Sequence, residues 1–341
     1  MYVHTHHSYV DIVDTKFPSN MSTTAISNSS SFASNSSSAI SSAANSQLTS
    51  INEISELHQL RDLYRRDWPT HSVGYYCLSN FIDWVEKRHQ LNSVADMKNL
   101  QVVTLDNDWH SDGLFLIVDR YQLFVNSLLS SEGNERLTKA LTLLNWSWPG
   151  FKVSSFLERH RPSVLSAVHT NNLKIDYDNL TVMYYKPRME VLQLPLNRPI
   201  GYVLRPLNAT TDAEIIDTLW PNRHQGSRFL IKRLIEWNAN MGVYTADTGE
   251  LVAWCLRLQG GFLGALQVRV EHKQRGLGSL IATATAQRIA ELGDDVMTLV
   301  NKDNRVARGM FEKLGFKLFD NAYWLRTFPT EDVERTWPDG E

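Results

Sequence analysis

The apolar positions in the last third of the chain alternate between strand-like and helix-like periods. Phe262 to Val270 is an apolar run with strand character, and it feeds a short basic turn, Glu271-His-Lys-Gln-Arg-Gly-Leu-Gly278. Leu277, Leu280, Ile281, Ala284, Ile289 and Leu292 then recur mostly on one helical face, and Gly293 is a natural C-cap. Asp294-Asp295 reads as a turn and Val296 to Val300 as a buried strand. Ala307, Met310, Phe311 and Leu314 keep the i, i+3, i+4, i+7 spacing of a second helix. Gly315 ends it, and Phe316 to Leu325 predicts a returning strand. The predicted order is strand, turn, helix, strand, helix, strand.

Upstream, Gly201 to Pro206 predicts a strand, and Thr211 with Glu214 fits a capping box opening a helix. Asp247-Thr-Gly249 predicts a hairpin turn between Met241–Ala246 and Glu250–Leu258. An internal repeat accompanies these elements. Trp68-Pro-Thr-His71 precedes Phe81-Ile-Asp-Trp84, and Trp220-Pro-Asn-Arg-His224 precedes Leu234-Ile-Glu-Trp237, with Trp-to-Trp spacings of 16 and 17. Each copy is followed by an apolar strand-like stretch, Gly113–Val118 and Val243–Leu258. Chance similarity of two aromatic helices is one reading. The other is a duplication joined near Leu192–Pro199.

The basic turn supplies candidate chemistry. A turn opening directly into a helix exposes backbone N–H groups at the positive end of the helix dipole, and phosphate binds there. Gly276 and Gly278 let a ligand approach the backbone closely because no Cβ intervenes. The rival motifs do not match. A Walker A loop needs Gly-x4-Gly-Lys-Ser/Thr, and Ile281 fills the third glycine position of a dinucleotide fingerprint. A solvated surface turn without a ligand is equally consistent with the two glycines alone.

The ordered pair Lys273-Gln-Arg-Gly276-Leu-Gly278 and Asn304, Ala307, Phe311, Lys313-Leu-Gly-Phe316 resembles the two signatures of the GCN5-related N-acyltransferase (GNAT) superfamily. Phe229–Asn238, Gly242-Val-Tyr, Leu251–Cys255, Tyr64–Pro69 and Asp112–Phe115 resemble the glycine N-acyltransferase-like branch, especially its insect members. The resemblance spans about residues 51 to 330. It implies an α/β fold of two tandem GNAT-like domains, each a mixed, mostly antiparallel sheet flanked by helices. The expected divisions are a Ser/Asn-rich disordered leader (1–50), an N-terminal GNAT-like domain without a coenzyme turn (51–197), an acyl-CoA-binding domain (198–330) and an acidic tail (331–341).

The resemblance also implies acyl-CoA as co-substrate, acetyl or longer, and a small-molecule amine or amino acid as acceptor. The coenzyme would lie against Leu266, Gln267 and Val268, the turn Lys273, Gln274, Arg275, Gly276, Leu277, Gly278 and Ser279, and Asn304 and Phe311. Lys273 stands where the family carries Gln or Arg; it keeps the charge but lacks the bidentate fork. Asn304 is equally an N-cap for the helix after it.

No catalytic residue emerges. The branch carries a glutamate base on the strand entering the turn, and here Phe262 occupies that place. Glu271, His272, Asp247 and Glu250 are the nearest titratable candidates. Phe311 stands where many superfamily members carry a proton-donating Tyr, which leaves the thiolate to depart unassisted and packing as the role of the ring. A non-catalytic acyl-CoA-binding protein and a protein N-acetyltransferase are the competing classes.

Composition removes other classes. A formal charge of −3 gives no nucleic-acid footprint. Cys77 and Cys255 make no disulfide framework and suit an intracellular, cytoplasmic protein. No apolar run reaches ~20 residues, so no membrane span is expected. Phe17 to Asn52 is uncharged and rich in Ser, Asn, Ala and Thr, too polar to order itself and without transit-peptide arginines or a signal-peptide apolar core. Met21 is a possible alternative start, His4, His6 and His7 lack metal-ligand partners, and sites such as Asn28-Ser-Ser read as unused. A monomer with no metal is expected.

Overall fold

The computed structural model describes residues 46–91, 100–130, 133–146, 150–224 and 226–330. The leader with its histidines, Met21 and Asn28, and the tail 331–341, lie outside the described residues.

The first half runs β1 (Leu48–Ser50), α1 (Ile54–Leu63), α2 (Ser72–Leu91), β2 (Leu100–Leu105), β3 (Phe115–Asp119), β4 (Gln122–Asn126), α3 (Glu135–Leu143), β5 (Lys152–Leu157), α4 (Arg161–Thr170), β6 (Ile175–Lys186) and α5 (Arg188–Val191). The second runs β7 (Tyr202–Arg205), α6 (Asp212–Leu219), α7 (Ser227–Trp237), β8 (Asn240–Thr245), β9 (Leu251–Arg257), β10 (Leu263–Val268), α8 (Leu277–Glu291), β11 (Val296–Asn301), α9 (Arg305–Lys313) and β12 (Lys317–Thr327). The described strands form one twelve-stranded sheet in the order β1-β2-β3-β4-β5-β12-β6-β11-β10-β9-β8-β7. Pairings are antiparallel except β4–β5 and β10–β11, which are parallel.

The order is palindromic about the β12–β6 pair. Each half contributes five strands in succession, and the two last strands are exchanged: β12 lies against β5, and β6 lies against β11. The two parallel pairs occupy equivalent places, as a duplication requires. The expected division at 197/198 falls in coil between α5 and β7, yet the strands do not separate there, and the described residues belong to one compact unit.

The expected leader ends too late. Leu48–Ser50 already pairs with Val103–Leu105, because Gln47 N–H caps onto the Asp106 carboxylate at 2.8 Å and fixes the entry of the chain.

Alternation along the strands fixes the layers. On β9, Leu251, Trp254 and Leu256 face a core built with α1, α2, α6 and α7, whereas Val252 and Cys255 face α8 and α9. In the first half Phe115, Ile117 and Phe124 face that shared core, while Leu116, Leu123 and Val125 face α3 and α4. The first two helices of both halves therefore pack together on one side of the sheet.

The capping box expected at Thr211 does not form. Asn208 Oδ1 instead accepts from the Thr210 and Thr211 amides at 2.8 and 3.2 Å, and Glu214 is drawn into an ion pair with Arg228 on α7 at 2.8 Å. No described helix is long and apolar enough to cross a membrane.

Candidate active site

The second half opens a cleft between its two parallel strands. β10 and β11 are in register only at Leu263↔Thr298. Thr298 Oγ1 donates to the Leu263 carbonyl at 2.9 Å, at the apex of the opening. A bulge between Gly264 and Gln267, with Ala265 at φ +48°, then turns β10 away. Beyond Leu263 the β11-facing backbone of β10 has no strand partner, and Leu266, Gln267 and Val268 are half-buried rather than buried. The equivalent strand of the first half, β4, is buried along its whole length.

The basic turn follows directly. A short 3-10 turn at Val270–His272 leads through Gln274 at φ +62° and Gly276 at φ +77° into α8. Leu280 N–H makes the first helical bond, to the Gly276 carbonyl at 3.0 Å. The amides of Leu277, Gly278 and Ser279 precede that bond and point out of the helix start. A Cβ on Gly276 would meet no atom within 4 Å, whereas one on Gly278 would lie 3.4 Å from Met310 Sδ and 3.9 Å from Val268 Cγ2. A Cβ on Gly278 would thus make only ordinary contacts with α9 and β10, whereas Gly276 supplies the left-handed bend.

Lys273 and Gln274 are exposed beside these amides. Arg275 is engaged within the protein: it donates to the Tyr202 hydroxyl at 3.0 Å and to the Glu271 carbonyl at 3.2 Å. Tyr202 also bonds His272 Nδ1 at 3.0 Å, so Arg275 and His272 together tie the turn to β7. Asn304 is the N-cap of α9 through Oδ1, which accepts from Ala307 N–H at 3.0 Å. Its carboxamide nitrogen is the group left to meet a ligand. Phe311 is buried, stacked on Tyr184 at 6.4 Å and edge-on to Phe316 at 5.4 Å.

On the opposite side of the sheet, the loop joining α6 to α7 lies by β10. Gln267 Nε2 donates to the Leu219 carbonyl at 2.9 Å, at the end of α6. Five residues on, His224 Nε2 lies 3.0 Å from the hydroxyl of Tyr121, which belongs to the β3–β4 turn of the first half. The rings meet edge-on at 4.9 Å, and Trp220 packs beside His224 at 6.2 Å. Lys152 N–H bonds the Tyr121 carbonyl at 2.8 Å, and its ammonium lies 4.9 Å from the centre of the Trp324 ring. Burial, then the nearby Arg326 charge, lowers the Lys152 pKa to about 8. His224 was visible in the sequence only as half of the Trp-Pro…His repeat. Nothing local paired it with Tyr121.

Residues 240–325 match the FR47-like protein family. A Drosophila melanogaster protein of known structure superposes with a TM-score of 0.75 at 21% identity, over 83% of this chain and 99% of its own. A tandem GNAT protein from the clavulanic acid biosynthesis pathway superposes at a TM-score of 0.50 and 16% identity, over 84% of this chain and 100% of its own. No curated protein sequence matches.

The chain has a tandem GNAT-like fold. The FR47-like match lies in the GNAT half that carries the open cleft and the basic turn. In this half the sequence-derived proton acceptors are poorly placed. Glu250 is ion-paired with Arg269 at the hairpin end, and Asp247 Oδ1 caps the Thr248 amide. Glu271 and His272 lie in the turn itself. Phe262 is packed with Val73, Tyr76, Leu157, Met183 and Met297 from both halves. The described residues contain no cluster able to hold a metal ion.

Proposed function

We propose that the protein moves an acyl group from acyl-CoA to the amine of glycine or another small amine, by direct attack within a ternary complex. The observation that carries this reading is the juxtaposition of an unpartnered strand edge at Leu266–Val268 with the open N-terminus of α8. An extended arm bearing amides pairs with the first, and a diphosphate is held by the second.

In this reading the amides around Gly276 to Ser279, with Lys273 beside them, hold the diphosphate, and Asn304 reaches the pantetheine arm. The thioester then sits near the apex at Leu263 and Thr298. A neutral amine attacks its carbonyl, a β10 backbone N–H stabilises the oxyanion, and the C–S bond breaks. A thiol of pKa ~8.5 leaves adequately as the anion, so a buried Phe311 is compatible with turnover.

The substitution of a core phenylalanine for the branch's glutamate favours a second reading, a binding protein that keeps the cleft without catalysis. Two measurements separate them. Calorimetric titration with CoA tests the cleft, and release of free thiol from acetyl-CoA and benzoyl-CoA, with glycine and a panel of small amines, tests transfer. Binding without release for every amine selects the second reading; no binding rejects both.

A further inference from the structure

A helix start holds a diphosphate best when its amides already point the right way before the ligand arrives. The basic turn does not set that direction through its own backbone. Gln274 stands at φ +62°, an unfavourable region for a residue with a Cβ, and Gly276 at φ +77°. Among the described residues, the amides of Gln274, Arg275 and Gly276 donate no main-chain hydrogen bond. Lys273, just before them, makes a long one, to the Val270 carbonyl at 3.3 Å.

We propose that Tyr202, on β7, is the positioning residue of the coenzyme site: its hydroxyl holds the turn in the shape that meets the diphosphate and aims Arg275 at it. This rests on the coenzyme reading above.

The first argument is connectivity. The Tyr202 hydroxyl accepts from Arg275 Nη1 at 3.0 Å and bonds His272 Nδ1 at 3.0 Å. One oxygen therefore ties two residues of the turn. A phenol serves both at once, because it accepts from the guanidinium and either donates to or accepts from the imidazole. Arg275 Nη2 donates back to the Glu271 carbonyl at 3.2 Å, so the guanidinium links the first residue of the turn to β7.

The second is the rigidity of the support. β7 pairs with β8 from Tyr202↔Thr245 to Arg205↔Gly242, and Tyr202 packs with Leu204 against the core that includes Leu277, Leu280 and Ile281 of α8. Its ring meets that of His272 edge-on at 5.8 Å. The sheet thus places the hydroxyl, whereas Lys273 and Arg275 are exposed. A long exposed side chain loses rotamer freedom on gripping a ligand, and one fixed beforehand loses less.

The third is charge. Glu271, the acid of the turn, lies 4.0 Å from Arg269 Nε, and Arg269 also pairs with Glu250. Among the described residues no carboxylate pairs with Arg275, so its charge stays uncompensated beside the helix start. The bonds to Tyr202 and Glu271 use one N–H on each terminal nitrogen. The other N–H groups of the guanidinium suit phosphate oxygens, with the planar fork that Lys273 lacks.

The test measures CoA affinity by calorimetry for the full-length protein, Tyr202→Phe, Arg275→Ala and the double variant, with thermal unfolding midpoints alongside. Tyr202→Phe keeps the packed ring and removes only the hydroxyl. It should weaken CoA binding about tenfold, the size of one hydrogen bond to a charged group, with the unfolding midpoint of the wild type. Arg275→Ala should weaken binding at least as much. The double variant should lose far less than the product of the two single losses, because the hydroxyl acts through a side chain already removed. In thiol release from acetyl-CoA, the Tyr202→Phe loss should fall on KM while kcat stays within about twofold. Unchanged CoA affinity in Tyr202→Phe overturns this role and leaves the coenzyme reading standing. Losses that multiply in the double variant also overturn it. So does a loss that tracks a lowered midpoint, since the hydroxyl then supports the fold rather than the turn. A wild type that binds no CoA overturns the coenzyme reading and this role with it.

Discussion

Trp84 and Trp237 meet edge to face, ring centres 5.5 Å apart, where α2 and α7 cross. They close the two copies of the internal repeat, so the motif that relates the halves in sequence also joins them in space. Trp84 Nε1 donates to Asn238 Oδ1 at 2.6 Å, and the Arg233 guanidinium lies 4.5 Å from the centre of the Trp84 ring. Truncating Trp237 to Ala should cost about 3–5 kcal/mol, measured by urea denaturation, and both halves should unfold together.

Arg233 and Asp119 form an ion pair across the halves with both side chains almost fully buried. Arg233→Met leaves the Asp119 carboxylate buried without its partner. A loss of about 3–5 kcal/mol is expected in the same denaturation assay.

His160 is buried, bonds Asn134 through Nδ1 at 3.1 Å, and burial pushes its pKa down to about 3. The unfolded chain takes up a proton below ~6.5 that the folded chain refuses. Its stabilising contribution is therefore full above ~6.5 and declines as pH falls from there towards 3. Between pH 7.5 and 5 this group alone should remove about 2 kcal/mol of stability. His160→Asn should flatten the pH dependence by that amount, read from denaturation midpoints at the two pH values.

Phe311 lies between Tyr184 and Phe316. Phe311→Tyr adds a hydroxyl to a packed site, so stability should fall by about 1–3 kcal/mol if the group finds no partner. Turnover should change by a small factor. A rise of 100-fold or more would mean that the wild type lacks a needed acid.

The turn, its helix and the strands around it were legible in the sequence because their signals are local. Leu277 to Leu292 declares its own period, and Gly276 needs only its neighbours to be read as a bend. The exchange of β6 and β12 left no such signal. It depends on the pairing of Asn321 with Val182 and of Asn301 with Thr181, registers that no local pattern encodes. The same limit hid the contact between the halves at Tyr121 and His224. Tyr121 is an ordinary hairpin residue until the sheet carries it to His224. One local reading failed because a tertiary partner outbid it: Glu214 went to Arg228.

Gly276 stands at φ +77° with open space where a side chain would project; in the proposed reading the diphosphate approaches from that side. Gly276→Val combines backbone strain of roughly 1–2 kcal/mol with obstruction of that approach. CoA affinity should fall at least tenfold while the chain remains folded by circular dichroism.

A crystal structure with CoA bound tests the central claim most directly. The diphosphate should rest on the amides around Gly276 to Ser279, and the pantetheine arm should run along Leu266–Val268 between β10 and β11. Coenzyme bound elsewhere, with that cleft closed and the helix start facing only solvent, would contradict it.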